Sequence, residues 1–157
     1  MFQDGTIDGV VFRPLRRHED SRGWLIELIR DDELPGEHHP AMTYLSATLP
    51  GVARGPHEHR EQADLFAFVG PADFRLYLWD SRRDSPTYRM KQAVVVGESN
   101  PQSVIVPPGV VHAYKNISEV PGLVFNAPNR LYAGWGRSEP VDEIRHEGEL
   151  DTPYLLD

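Results

Sequence analysis

The chain has 157 residues, 39% of them hydrophobic and 10% aromatic, which is enough for one domain with a real core and unlike a disordered protein. Its formal net charge of −8 argues against a general binder of nucleic acids or acidic membranes. The absence of cysteine excludes disulfides, thiolate chemistry and cysteine-type zinc sites. No apolar run reaches the roughly 18 residues of a membrane span, and no leader is recognisable, so we expect a cytoplasmic protein.

Short β-forming segments separated by Gly/Pro turns follow one another along most of the chain. Strands are predicted at 9–13, 24–29, 42–49, 65–69, 73–79, 87–96, 103–106, 114–117 and 122–125. Residues 16–23 are predicted to form a polar turn and residues 30–40 a surface loop. No segment before residue 130 keeps a 3.6-residue apolar period, which favours an all-β sandwich or barrel. The charged tail from about residue 140 is expected to hold a short helix at 141–146.

The segment 73–79 alternates apolar and polar residues, the pattern of a strand buried on one face only. Trp24 and Trp79 are expected to be core or rim residues rather than platforms for a nucleobase. In the polar turn at 80–86, Arg82 and Arg83 are expected to be solvated rather than to clamp a phosphate.

The residues most suited to chemistry lie in two histidine clusters, each beside a Gly/Pro turn. His57 and His59 are two positions apart, so on a strand both rings point to the same face. His112 follows the turn Pro107-Pro108-Gly109 and opens another strand-like stretch. If these strands are neighbours in a barrel, the three imidazoles converge on one interior cavity. The opposing interpretation is that exposed histidines flank a turn that Asp64 caps.

The clusters read His-x-His-x4-Asp within 54–64 and Pro-x-Gly-x2-His-x3-Asn within 107–116. Together they resemble the two cupin motifs, in which two histidines, an acidic residue and a third histidine hold a divalent metal inside a β-barrel. The resemblance implies an all-β, cupin-type jelly-roll barrel that forms a single domain over residues 1–157. As a metal-dependent cupin, the chain would use the ligands His57, His59, Asp64 and His112, a set that suits Fe, Mn, Ni, Zn or Cu. Asp64 stands where a glutamate is usual.

A narrower resemblance covers most of the chain, from about residue 10 to 125. It rests on four segments in order: Asp20-Ser21-Arg22-Gly23, Arg54-Gly55-Pro56-His57, the run from Asp80 to Tyr88, and Pro107 to His112. These are similar to the dTDP-4-dehydrorhamnose 3,5-epimerase family, also a cupin-type jelly roll. That family acts without metal or coenzyme on a nucleotide-linked 4-keto sugar and is usually a homodimer. The resemblance implies an epimerase or isomerase of carbohydrate biosynthesis with a small-molecule partner, and no nucleic-acid or membrane partner.

The family's site residues carry over by position. Arg22 and Glu27 would contact the nucleotide, Arg22 reaching a phosphate, and Arg54 would meet the diphosphate or the sugar. His57 would be the base that removes the proton beside the keto group, and His112 would line the sugar pocket. An imidazole suits that role because its pKa lies near neutrality.

The sequence departs from the family at the reacting centre. The family's lysine, which stabilises the enolate, aligns with Asp64. The family's proton-donating tyrosine aligns with Phe125, and a glutamine of the family aligns with His59. Tyr114 and Tyr132 are candidates to replace the missing acid. The aspartate that orients the base has no clear counterpart, and Asp142 is a guess.

Three functions stay open from the sequence. The first is a sugar-nucleotide epimerase or a 3,4-ketoisomerase. The ketoisomerases are similar jelly rolls with an Arg-Gly-x-His-x-His motif, in which two histidines can share the proton transfer. His59 is therefore a catalytic candidate beside His57 and His112. The second is a metal-dependent cupin, and the third a sugar-nucleotide binding module without catalysis.

Overall fold

The computed structural model describes residues 1–157 and is built almost wholly of strands. In chain order the strands are β1 (Gln3–Asp4), β2 (Val11–Pro14), β3 (Arg17–Asp20), β4 (Gly23–Ile26), β5 (Tyr44–Thr48), β6 (Ala53–Glu58), β7 (Asp64–Gly70), β8 (Asp73–Asp80), β9 (Met90–Gly97), β10 (Gln102–Val106), β11 (Val110–Asn116), β12 (Gly122–Asn126) and β13 (Ile144–Arg145). Three single 3-10 turns lie at Asp31–Glu33, Gly36–His38 and Trp135–Arg137. None of these helices has the length and apolar character needed to cross a membrane.

Two sheets face each other in a jelly roll. One has the strand order β1-β9-β8-β11-β6-β13 and the other β2-β10-β7-β12-β5, while β3 and β4 form a separate hairpin. The β1–β9 pairing is parallel, and every other pairing is antiparallel. The core between the sheets joins Phe66 and Phe68 of β7 to Phe74, Leu76 and Leu78 of β8, all nearly or fully hidden from solvent. The prediction of a single all-β, cupin-type jelly roll is therefore confirmed.

Strand β8 is buried on both faces, so the prediction of a half-buried strand at 73–79 is wrong. Its outward residues Tyr77 and Trp79 are 4% and 3% exposed, because Phe2 from the N-terminal segment and Tyr154 and Leu156 from the C-terminal segment pack over them. Trp79 is a core residue, as expected. The two ends of the chain supply a second layer that the alternation within 73–79 does not reveal.

Two further local predictions differ from the structure. Part of the predicted turn at 16–23 is strand β3, which pairs with β4. The predicted helix at 141–146 is wrong, because this segment is extended and its strand β13 adds to the edge of β6. The backbone N–H of His146 donates to the carbonyl of Pro56 at 2.9 Å. The free edge of β6 offers this segment the backbone partners that a helix would otherwise provide.

Candidate active site

A bulge between β6 and β11 sets the position of the first histidine. His57 lies opposite His112, but Arg54 lies opposite Tyr114, so β6 carries one extra residue in this stretch. Gly55 is in that stretch with a φ of 87°, and a Cβ there would lie 2.5 Å from the carbonyl oxygen of His112. Only glycine allows β6 to pass so close to β11, which explains the glycine of the Arg-Gly-Pro-His segment.

The three imidazoles meet at one end of the sandwich, as the spacing predicts. The ring centroids of His57 and His112 are 4.4 Å apart, and each lies within 5.9 Å of the ring of His59. Asp64, from the opposite sheet, places Oδ2 at 3.1 Å from His59 Nε2 and 3.2 Å from His112 Nε2. One ligating atom from each of the four residues lies within 4.8 Å of the others. Asp64 and His112 are buried, while His57 and His59 keep one face toward the cavity.

Backbone carbonyls fix the orientation of two of the rings. His112 Nδ1 lies 3.1 Å from the carbonyl oxygen of Val110, and His59 Nδ1 contacts the carbonyl oxygen of Asp142. A carbonyl oxygen only accepts, so the Nδ1 atom facing it carries a proton. Both rings therefore direct Nε2 toward the same oxygen of Asp64.

The other oxygen of Asp64 is held by amide groups. Gln62 and Asn126 each donate an amide N–H to Oδ1 at 2.9 Å. Burial raises the pKa of Asp64, but hydrogen bonds from His112 and His59 outweigh burial and hold that pKa well below its usual range. Asp64 is consequently an anion at neutral pH.

The environments of His57 and His59 move their pKa values in opposite directions. Burial, reinforced by His112, lowers the pKa of His57 to about 2, so this ring is neutral at pH 7. Burial also lowers the pKa of His59, but the hydrogen bond and charge of Asp64 outweigh it and raise this pKa to about 9. One cavity thus presents a neutral and a cationic imidazole two positions apart in the chain.

The carboxylate beside His57 is Glu147, which the sequence interpretation did not single out. Glu147 Oε1 lies 3.8 Å from His57 Nδ1 and accepts the backbone N–H of Gly55 at 3.1 Å. Asp142, the guessed partner of the base, instead accepts the backbone N–H groups of residues 60, 61 and 62 at 2.9 Å each. Asp142 orders the loop after His59, so the guess of a direct contact with His57 is wrong.

A cavity of about 1170 Å³ opens beside this cluster. Its walls carry several arginines and aromatic residues, among them Arg54, Arg60, Arg130, Arg137, Arg145, Tyr44, Tyr114, Tyr132 and Trp135. Trp135 is 80% exposed. A cationic wall with an open aromatic surface suits an anionic ligand that carries a ring.

Of the predicted ligand-contacting arginines, only Arg54 lines the cavity. Arg54 donates to the Thr48 hydroxyl and the Ala47 carbonyl at 2.9 and 2.8 Å, which fixes its side chain against β5. Arg22 and Glu27 are absent from the cavity wall. Arg22 pairs with Asp20 within its own hairpin, Nε to Oδ2 at 3.2 Å, and Glu27 pairs with Arg30.

Phe125, the residue aligned with the family's tyrosine, faces away from the cavity. Its ring packs against the cluster of Leu65, Ile105 and Ala127 on the outer side of the sheet. The next residue, Asn126, is the one that turns inward, where its amide reaches Asp64 Oδ1 and the hydroxyl of Tyr44, both at 2.9 Å. The alternation of β12 therefore puts an amide, not a phenyl ring, beside the cluster.

Three tyrosines line the cavity. Tyr114 is 4% exposed and its ring packs edge-on against Phe66, Phe68 and Phe74. Tyr132 is largely exposed. Tyr44, which the sequence interpretation passed over, is joined to Asp64 through Asn126, and burial raises its pKa to about 12.

Comparison with known proteins agrees with this arrangement. The family model described as dTDP-4-dehydrorhamnose 3,5-epimerase matches residues 4–134. The chain is 40% identical over 116 residues to the spore coat polysaccharide biosynthesis protein SpsL of Bacillus subtilis, covering 73% of this chain and 75% of the relative. It is 38% identical over 128 residues to the protein named "Probable low-salt glycan biosynthesis epimerase Agl13" of Haloferax volcanii, covering 81% of each.

Solved structures agree in fold. A dTDP sugar isomerase from Desulfovibrio desulfuricans superposes with a TM-score of 0.79 at 22% identity, covering 96% of this chain and 90% of that one. The family model extends across the two histidine motifs and the strands β6 and β11. The chain belongs to the dTDP-4-dehydrorhamnose 3,5-epimerase family.

Proposed function

We propose that the chain is an enzyme that epimerises a nucleotide-linked 4-keto sugar by removing a proton from a carbon next to the keto group. The observation that carries this proposal is the neutral, largely buried His57 at the cavity, backed by the carboxylate of Glu147 at 3.8 Å. Membership of the epimerase family supports it. Removal and return of a proton need no redox coenzyme.

His57 acts as the base in this proposal. An unprotonated imidazole can accept the proton, and Glu147 then stabilises the imidazolium that forms. A ring with a pKa of about 2 is a weak base by itself. The nearby carboxylate is therefore needed to make the transfer favourable, which gives Glu147 a positioning and electrostatic role.

Tyr44 is the residue we propose to return the proton on the opposite face of the sugar. Its raised pKa keeps the phenol protonated at neutral pH, and the Asn126 amide holds the oxygen in place. It is therefore better suited than Tyr114, whose ring is packed into the core. Tyr44 and Tyr132 are 45% and 58% exposed, and of these two only Tyr44 is held by the Asn126 amide.

The arginines of the cavity are proposed to hold the nucleotide diphosphate, with Trp135 beside the base. Planar guanidinium groups suit phosphate oxygens. Arg22 and Glu27 lie outside the cavity of their own chain, so the nucleotide contacts expected for them require the cavity of a second copy. We therefore propose a homodimer in which each hairpin β3–β4 completes the partner's site.

The test is exchange of solvent deuterium into a dTDP-linked 4-keto-6-deoxy sugar, followed by NMR and mass spectrometry. We expect exchange with the wild-type chain and a loss of about 10²–10⁴-fold in His57→Ala, the range of general-base catalysis. Tyr44→Phe is expected to keep the exchange but to lose the inverted product. His39→Ala, an exposed histidine that lies outside the cavity wall, is the matched control.

Each alternative has its own outcome in the same assay. A product with the keto group moved to the neighbouring carbon would identify a ketoisomerase. Thermal stabilisation by dTDP without any exchange would identify a binding module. The absence of exchange with every 4-keto sugar nucleotide offered would overturn the epimerase proposal.

A further inference from the structure

We propose that Tyr154 is a positioning residue for the proposed reaction, because it clamps the segment of chain that brings Glu147 to His57. The inference rests on the role proposed above for Glu147 beside the base. Tyr154 lies beyond residues 4–134, the part of the chain that the family model matches. The clamp is therefore a feature of this chain's own C-terminal segment.

The segment that carries Glu147 makes few backbone contacts. Strand β13 is only two residues long and pairs with the edge of β6. Beyond it, the backbone N–H of His146 donates to the carbonyl of Pro56 at 2.9 Å. The carboxylate of Glu147 then accepts the backbone N–H of Gly55 at 3.1 Å. An edge strand as short as this opens readily unless side chains hold it in place.

Alternation along this extended segment sends successive side chains to opposite faces. Arg145 and Glu147 line the cavity, whereas His146 between them is absent from the cavity wall. The side chain of His146 is nevertheless only 12% exposed, because it packs into the layer outside β8. A contact that fixes His146 in the outer layer therefore also fixes Glu147 in the cavity.

Three side chains hold the ring of His146. Its Nε2 lies 3.0 Å from Glu58 Oε1, and its Nδ1 lies 3.3 Å from Glu149 Oε1. Its ring centroid lies 4.7 Å from that of Tyr154. Glu58 belongs to β6 and Glu149 follows His146 in the same segment. Tyr154 is thus the partner that joins this ring to the outer face of β8.

Tyr154 is itself anchored at several points. Its hydroxyl shares a hydrogen bond with the Ser81 hydroxyl at 2.8 Å. Its ring centroid lies 5.6 Å from that of Trp79 and 5.7 Å from that of Phe2. Because Trp79 is 3% exposed, Tyr154 rests on a buried part of β8. Contacts therefore run without a gap from the core through Tyr154 and His146 to the backbone of Glu147.

The first experiment is backbone hydrogen–deuterium exchange, with mass spectrometry of the peptide that covers residues 143–149. We expect about tenfold faster exchange of this peptide in Tyr154→Ala than in the wild-type chain. Tyr154→Phe keeps the ring and is expected to keep the protection. Leu155→Ala is the matched control, because the neighbouring Leu155 is 74% exposed.

A second variant guards against loss of the fold. His146→Ala removes the other half of the contact without uncovering Trp79, and we expect the same faster exchange from it. Peptides from β7, which lies in the core, report in every variant whether the fold is intact.

The second experiment connects the clamp to the chemistry through a double-mutant cycle with Glu147→Gln. Tyr154→Ala is expected to lower kcat for deuterium exchange into the dTDP-linked 4-keto sugar about tenfold, because a small displacement of a reacting group costs much rate. In the Glu147→Gln background the same substitution is expected to cost less than about twofold, since the carboxylate that it positions is already gone. A merely structural role would lower kcat equally in both backgrounds.

Unchanged protection of residues 143–149 in both Tyr154→Ala and His146→Ala would overturn the proposal. Equal losses of kcat in the two backgrounds, or a loss in Leu155→Ala as large as in Tyr154→Ala, would do the same. If the wild-type chain exchanges no deuterium into any sugar nucleotide, the proposed function fails. The backbone exchange needs no substrate, so it still decides whether Tyr154 holds the segment that carries Glu147.

Discussion

Two aspartates are almost equally hidden in this molecule, yet their neighbours are of opposite kinds. Asp64 is 2% exposed and Asp80 is 0% exposed, and each lies at an end of a strand. Asp80 receives hydrogen bonds from the guanidinium and backbone of Arg82 and from the hydroxyls of Ser85 and Thr87. Asp64 receives amide hydrogens on one oxygen only, and its other oxygen faces two imidazole nitrogens.

The difference separates a structural carboxylate from a functional one. Every partner of Asp80 carries its proton permanently at neutral pH, so the turn after β8 is closed and complete. The imidazole partners of Asp64 can lose or gain a proton. The guanidinium of Arg82 binds Asp80 and the carbonyl of Asp8. Arg82 is therefore neither a freely solvated side chain, as predicted, nor available to clamp a phosphate.

The largest effect on stability is expected from Asp80→Asn. The substitution removes a buried charge from beside Arg82 and replaces an acceptor by an amide that cannot satisfy all of its donors. The free energy of unfolding should fall by about 2–4 kcal/mol, which urea denaturation would measure.

Asp84→Asn is the matched control for Asp80→Asn, because Asp84 lies in the same turn but is exposed. Exposed positions of this kind change stability by less than about 0.5 kcal/mol. Equal losses in the two variants would show that the buried network around Asp80 is not what stabilises the turn.

A smaller effect should appear as a pH dependence of the same network. Burial raises the pKa of Asp80, but hydrogen bonds from Arg82, Ser85 and Thr87 outweigh burial and lower that pKa to about 2. A depressed carboxyl pKa contributes stability that is present above the unfolded value of 3.8 and is lost as the pH falls toward 2. The difference in unfolding free energy between wild type and Asp80→Asn should be constant above about pH 5 and shrink below pH 4. A difference that grows on acidification would contradict this assignment.

The sequence predicts most of the fold because its information is local. Alternation and Gly/Pro turns locate nine of the thirteen strands within a few residues. The errors come from contacts between distant parts of the chain. The two ends of the chain cover Tyr77 and Trp79, and β13 pairs with β6. Neither contact can be recognised from the residue pattern of β8 or of residues 141–146.

The same distinction explains the candidate site. The histidines are predictable because His57 and His59 share a strand face and both motifs begin at a turn. Glu147 could not be predicted, because it contacts Gly55 from 92 residues away along the chain. Asn126 had a weak signal, as a polar residue that ends an otherwise apolar strand. Only the pairing of β12 with β7 shows that Asn126, rather than Phe125, faces the cluster.

A smaller loss of stability than that of Asp80→Asn is expected from Asp64→Asn. An asparagine can keep its Oδ1 as the acceptor for Gln62 and Asn126, and its Nδ2–H group can donate to Nε2 of His112, which lies 3.2 Å from the oxygen that is replaced. These hydrogen bonds offset part of the lost ion pair with His59, so we expect the free energy of unfolding to fall by about 1–2 kcal/mol, although this aspartate is as deeply buried as Asp80. Urea denaturation beside Asp80→Asn provides the comparison. A loss as large as that of Asp80→Asn would mean that Asp64 is held for structure, and the distinction between the two aspartates would then fail.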